Sequence, residues 1–121
     1  MQPIIEKRGH NGLLRIYPHH VEIDRRGSLA AWLNSLHGVT SIHFKDIVSM
    51  NHKNRGLVIG WIYFNIQGNI RTPIFYNHAI DPHLISYLRD DASWTELYEY
   101  LQELVYDYKS RIHRVEQKAP L

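Results

Sequence analysis

Histidine is the residue type in this chain with the most obvious capacity for chemistry, since the 121 residues include nine His and no Cys. His19 and His20 are adjacent, so on a strand their side chains would point to opposite faces and could not share a metal ion. Four further histidines are considered as ligands, and they also lack the spacings typical of metal sites. They are His10, His52, His78 and His83. We therefore predict no metal site and no cofactor, and we interpret the histidines as solvated surface residues. Protonation of all nine would raise the net charge from +2 to +11, so a pH dependence stays open.

Catalytic signatures are missing from the sequence. It contains no nucleophile elbow, no HExxH pair, no phosphate loop and no glycine-rich dinucleotide turn. The lack of Cys also excludes thiolate chemistry and disulfides. We therefore expect the protein not to be an enzyme.

Basic residues concentrate at predicted turns, where they could receive an anionic ligand such as a lipid headgroup or a nucleic acid. The net charge of +2 is too small to require such a partner, and an ordinary solvated turn is the alternative interpretation. The candidate anion-binding residues are Arg25, Arg26, Lys45, Lys53 and Arg55.

The elements that must position these residues are mostly strands, because apolar residues alternate with polar ones over short stretches. The stretches 12–17 and 21–24 are predicted to form a hairpin. Further strands are predicted at 42–44, between the turn 45–47 and residue 51, at 60–67, at 70–76 and at 84–88. In the turn we predict that Ile47 is buried and that the Asp46 carboxylate accepts hydrogen bonds from nearby backbone N–H groups. Trp61 and Tyr63 alternate with Ile62 and Phe64, and we interpret them as partly buried packing residues.

The period changes at residue 93, where apolar residues begin to recur at three- and four-residue intervals as far as Val115. This pattern predicts an amphipathic helix over about 93–115, with Ser93 and Glu96 as a capping box. Residues 1–10 are expected to form a flexible arm, 11–115 a single domain and 116–121 a frayed tail.

An apolar insertion at 28–38 separates two predicted strands, and its spacing leaves open whether it is helix or strand. Its four large apolar side chains are Leu29, Trp32, Leu33 and Leu36. The segment either folds back over an edge of the barrel or projects into a partner subunit, another protein or a membrane surface. We predict that it binds a protein partner or a second copy.

The order of strands and helix resembles the small bacterial pleckstrin-homology-like domains over residues 11–108. The shared motifs are structural: Arg25-Arg26-Gly27, the insertion Leu29 to Leu36, the strand Ile42 to Phe44, Asp46-Ile47, the strand Gly60 to Phe64, and Gly68-Asn69. The resemblance implies a mainly β fold of the α+β type. It would be a barrel of about seven antiparallel strands in two orthogonal sheets, capped by one long C-terminal amphipathic helix.

The family carries no catalytic residues, and its members act as recognition or assembly modules. The series of Lys and Arg that binds phosphoinositides in other pleckstrin-homology domains is missing around Pro18-His19-His20. We therefore expect a non-enzymatic binding module for a protein partner or for itself, in the cytoplasm and without a transmembrane segment. The alternatives are an anionic-ligand binder and a small phage- or plasmid-type inhibitor of a host protein.

Overall fold

The computed structural model describes residues 2–27, 38–53, 59–66, 83–88 and 92–118, which form two antiparallel sheets and one helix. Sheet A has the order β1-β2-β3-β4 and sheet B the order β5-β6-β7. The elements are β1 (Ile5–Arg8), β2 (Leu13–Ile16), β3 (His20–Asp24), β4 (Val39–His43), β5 (Ile47–Lys53), β6 (Gly60–Ile66), β7 (Leu84–Tyr87) and helix α1 (Ala92–Lys118).

Strands β2 and β3 form because their apolar residues alternate. Leu14 lies opposite Ile23, and Ile16 lies opposite Val21, and all four side chains are buried. A one-residue shift of either strand would turn its two buried side chains toward solvent, so the pattern fixes the pairing. The predicted hairpin is confirmed.

Strand β1 lies within the segment predicted as a flexible arm. Ile5–Arg8 pairs with β2, with Ile5 opposite Ile16 and Arg8 opposite Leu13. The prediction of a flexible arm is therefore wrong for this stretch. The strand was missed because Ile5 is its only apolar residue, so the sequence shows no hydrophobic alternation there.

A single 3-10 turn, Phe44–Asp46, connects the two sheets. The buried Ile47 begins β5, as predicted. The sequence also predicted that the Asp46 carboxylate would hold this turn. Instead Asp46 is exposed, and the Lys45 N–H donates to His43 Nδ1 at 3.1 Å.

Strand β6 is buried on both faces. Ile62 and Phe64 belong to the main core, whereas Trp61 and Tyr63 form a second buried cluster with Leu84. The two aromatic residues are therefore packing residues, as predicted. The first residue of the strand, Gly60, has no room for a side chain, because the ring of Tyr87 occupies the place where a β-carbon would lie.

Helix α1 has 27 residues and is about 40 Å long. It closes the main core with the buried residues Trp94, Leu97, Leu101 and Val105. It begins at Ala92, so Ser93 lies within its first turn and not at the N-cap, and it extends through 116–118, part of the predicted frayed tail. Across the described residues, no helix has the length and apolar character needed to cross a membrane.

Polar side chains join the two sheets. Asn11 Nδ2 donates to Leu84 O at 2.9 Å, and the Ser86 N–H donates to Asn11 Oδ1 at 2.9 Å. Arg25 Nη2 donates to the same Leu84 carbonyl at 3.0 Å. Asn11 and Arg25 are buried, so they act as a bridge between the β1–β2 turn, the end of β3 and strand β7.

The predicted fold class is confirmed as mainly β, with two antiparallel sheets and one C-terminal helix. Within the described residues no strand ladder joins sheet A to sheet B, so the barrel is not closed by strand pairing. The strand predicted at 70–76 lies outside the described residues.

Replacing Asn11 tests the bridge. Asn11→Ala leaves the buried Ser86 N–H without its acceptor, and a buried unsatisfied group costs about 1–3 kcal/mol. We expect the free energy of unfolding, measured by urea denaturation, to fall by that amount. Ser41→Ala at an exposed position of β4 is the control and should change it by less than about 0.5 kcal/mol. Equal effects of the two substitutions would show that the bridge does not stabilise the fold.

Candidate functional site

Two of the predicted anion-binding residues have structural partners. Arg25 is 2% exposed, and its Nη1 donates to Thr40 Oγ1 at 3.2 Å in addition to the contact with Leu84. Arg26 is exposed but pairs with the buried Asp24, with 2.9 Å between Nη2 and Oδ2. Hydrogen bonds, first from Arg26 and then from Arg15, lower the pKa of Asp24 despite its burial. Arg25 is thus a structural residue and not a surface anion ligand.

The remaining members of that predicted set do not gather. Lys45 follows β4 and lies near the end of the ladder where His20 pairs with His43, whereas Arg25 and Arg26 follow the opposite end of β3. Lys53 is exposed at the end of β5 in sheet B. Arg55 lies outside the described residues.

The predicted partner-binding residues also lie outside the described residues: Leu29, Trp32, Leu33 and Leu36. Their role as a contact site, and the choice between helix and strand for the insertion, stay predictions.

A cluster of rings surrounds Tyr108 of α1. The centroids of His19 and His43 lie 5.4 and 5.5 Å from that of Tyr108, and His20 stacks on Tyr17 at 4.4 Å. Burial, followed by the nearby Lys45 charge, lowers the pKa of His43. No group of three potential metal ligands is assembled within the part of the chain that the structure describes.

A second set of rings connects α1 to sheet B. Trp94 stacks on Tyr87 at 4.8 Å, and the Tyr87 hydroxyl lies 3.0 Å from His52 Nε2. The ring of His52 in turn stacks on Tyr98 at 4.7 Å, and burial lowers the pKa of His52. These residues hold the helix against the sheet, so we interpret them as packing residues.

The outward face of α1 carries charges that are separated by sign along the helix. Its exposed residues are first acidic and then basic: Glu96, Glu99, Glu103, Asp107, Arg111 and Arg114. We call these six residues the outer stripe. Their spacing of three or four residues places them on one side of the helix.

The apolar stripe of α1 continues beyond the part that contacts the core. It runs at alternating four- and three-residue intervals through Trp94, Tyr98, Leu101, Val105, Tyr108, Ile112 and Val115. The first five are buried or partly buried against the core, but Ile112 is 42% and Val115 is 66% exposed. We call residues 111–115 the exposed end. The sequence predicted this stripe but not that its last two members would be uncovered.

A cleft of about 320 Å³ lies between the end of β1, the end of β7 and the first turn of α1. Lys7 Nζ is 5.2 Å from the centre of the Trp94 ring. The cleft is lined by Lys7, Arg8, Gly9, His10, Tyr87, Leu88 and Trp94. None of its described lining residues is acidic, so the local charge favours anions. Sequence reasoning missed this cleft because it treated residues 1–10 as an arm.

Comparisons with known proteins identify no relative, since no family model, no curated protein and no solved structure matches the chain.

The lowered pKa values of His43 and His52 predict that acid destabilises the fold. Unfolded histidine titrates near ~6.5, so the unfolded chain binds protons at these two positions more readily than the folded chain does. The free energy of unfolding should therefore fall as the pH decreases through about 6.5. Chemical denaturation at about pH 7.5 and about pH 5.5 measures this change.

His43→Asn and His43→Ala separate the titration of His43 from its capping role. The Asn amide oxygen can still accept from the Lys45 N–H and does not titrate, so this variant should keep its stability at high pH and lose less on acidification. His43→Ala lacks the acceptor and should be less stable by about 1 kcal/mol at both pH values. A wild-type pH dependence in His43→Asn would mean that other groups cause the acid effect.

Proposed function

We propose that the chain is a non-enzymatic binding module of the pleckstrin-homology-like type, which recognises a protein through helix α1. The observation that carries the proposal is the exposed end, where the apolar stripe of the core continues into solvent at Ile112 and Val115. Exposed apolar side chains in register with a core stripe are suited to packing against another chain. The protein recognised is either a different one or a second copy.

The compartment and the biological setting belong to the same proposal. We propose a cytoplasmic location, in keeping with a chain that has no Cys. An inhibitor of a host protein would use the same exposed end, and in that case the protein captured there would be the inhibited one.

A pair of exposed valines provides a test with a matched control. A photo-crosslinking amino acid replaces Val115 in the exposed end or Val48 on β5, which are 66% and 50% exposed. After irradiation in the native cells, we expect a discrete protein adduct from position 115 and none from position 48. Ile112→Ser in the same chain should reduce the adduct because it removes the adjacent apolar contact. Equal labelling at both positions, or none, would contradict recognition through α1.

We propose anion binding as a second function, on the basis of the cleft lined by Lys7, Arg8 and His10. The exposed Arg8 lies beside aromatic rings of the cleft, and its guanidinium can bind a phosphate group by paired hydrogen bonds. Both a lipid headgroup and a nucleic acid carry such a group.

A salt series tests the second function with vesicles containing phosphatidylserine and with a single-stranded DNA oligonucleotide. Binding that depends on phosphate contacts must weaken steeply as salt increases. Arg8→Ala should reduce it several-fold, whereas Lys53→Ala, at an exposed position outside the cleft, should not. Binding that is absent, insensitive to salt, or unaffected by Arg8→Ala would exclude this function.

A further inference from the structure

The outer stripe of α1 has a charge pattern that the helix alone does not explain. A helix dipole favours acidic residues only in the first turn and basic residues only in the last. The first turn of α1 contains no acidic residue, whereas Glu103 and Asp107 lie near the middle of its 27 residues. The dipole therefore does not account for their placement.

Contacts within one helix do not account for the pattern either. Asp107 precedes Arg111 by four residues, which allows a pair, but Glu99 and Glu103 have no basic residue three or four positions later. Glu99, Glu103 and Asp107 instead follow one another at four-residue intervals, and like charges at this spacing repel. Within a single copy, the acidic half of the outer stripe is thus unfavourable.

We propose that the outer stripe is a dimer contact, in which α1 of one copy packs antiparallel against α1 of a second copy. Reversing the direction of an identical helix places its basic half beside the acidic half of the first. This inference rests on the proposed function and specifies the protein that is recognised as a second copy of this chain.

The residue positions define the register of this pair. An axis at about Asp107 brings Glu103 of one copy to the level of Arg111 in the other, and Glu99 to the level of Arg114. Because the contact is related by a two-fold axis, each of these pairs forms twice. Tyr106, which is 71% exposed, lies next to the axis and can pack against the same residue of the other copy.

The same arrangement provides a position for Val115 of the exposed end. Val115 and Leu97 are 18 residues apart, which is five turns, so both lie on one flank of the helix. That flank borders a groove formed with β1, whose lining includes Ile5, Leu97 and Tyr100. A two-fold axis places equal flanks side by side, so Val115 of one copy is directed to this groove of the other.

Charge-swapped variants test the proposal. Arg111→Glu with Arg114→Glu makes the stripe wholly acidic, and Glu99→Lys with Glu103→Lys makes four of its six positions basic. The wild type should sediment at twice its chain mass of 14.3 kDa at low salt. Each double variant alone should raise the dimer dissociation constant at least about tenfold. An equimolar mixture of the two should restore a dimer, identified as a heterodimer by native mass spectrometry.

Cysteine crosslinking tests the register, because the chain contains no natural Cys. Asp107→Cys should form an intermolecular disulfide on mild oxidation, whereas Val48→Cys on β5 should not. A monomeric wild type, double variants that still self-associate, or a mixture that fails to form the heterodimer would overturn the proposed dimer.

The outcomes also separate this inference from the proposed function. If position 115 crosslinks to a different protein while the wild type sediments as a monomer, recognition through α1 stands and self-pairing fails. If position 115 yields no protein adduct and the wild type is monomeric, both fail.

Discussion

The side-chain amide of Asn11 joins the two sheets, together with the bond from the neighbouring His10 N–H to Ser86 O at 2.6 Å. Among the described residues β7 lies at the edge of sheet B, and its Leu84 carbonyl and Ser86 N–H are directed toward the β1–β2 turn. An amide can donate and accept at once, so one side chain substitutes for a neighbouring strand. Gly9 belongs to the same contact, because a β-carbon there would lie 2.5 Å from Ser86 O. The low exposure of Asn11, 1%, makes these bonds costly to lose.

Fixing β7 also fixes the helix. Tyr87 of β7 stacks on Trp94 and contacts His52, so the first turns of α1 are held against both edge strands of sheet B. Further along α1, the Tyr98 hydroxyl and Lys109 Nζ donate to carbonyls of β5, at Met50 and Ile47. A strand with free carbonyls at its edge is prone to pair with other chains, and the helix covers this edge of β5. The outward face of α1 is left for contacts with solvent or another molecule.

The sequence was sufficient to predict elements whose burial follows a period, and insufficient where polar groups make the contact. Alternation identified β2, β3 and β6, and the three- and four-residue spacing identified α1. Strand β1 was not predicted, because its inward residue Lys7 covers the Trp94 ring with a charged side chain and so adds nothing to an apolar pattern. The bridge from Asn11 to Leu84 spans 73 residues, and nothing local to either residue signals it. The assignment of Arg25 to a ligand site failed for the same reason.

The position of α1 couples any binding to its outer face to the stability of the domain. Its inner face supplies Trp94, Leu97 and Leu101 to the core, so the helix cannot detach without unfolding the domain. A partner bound to the outer face therefore binds only the folded chain and stabilises it by mass action. His43, at the end of β4, contacts Tyr108 of the same helix from the opposite side. Its pKa is lowered by burial, so protonation of His43 weakens the fold that holds α1 in place. Acid therefore weakens binding to α1 only under conditions where it populates the unfolded chain.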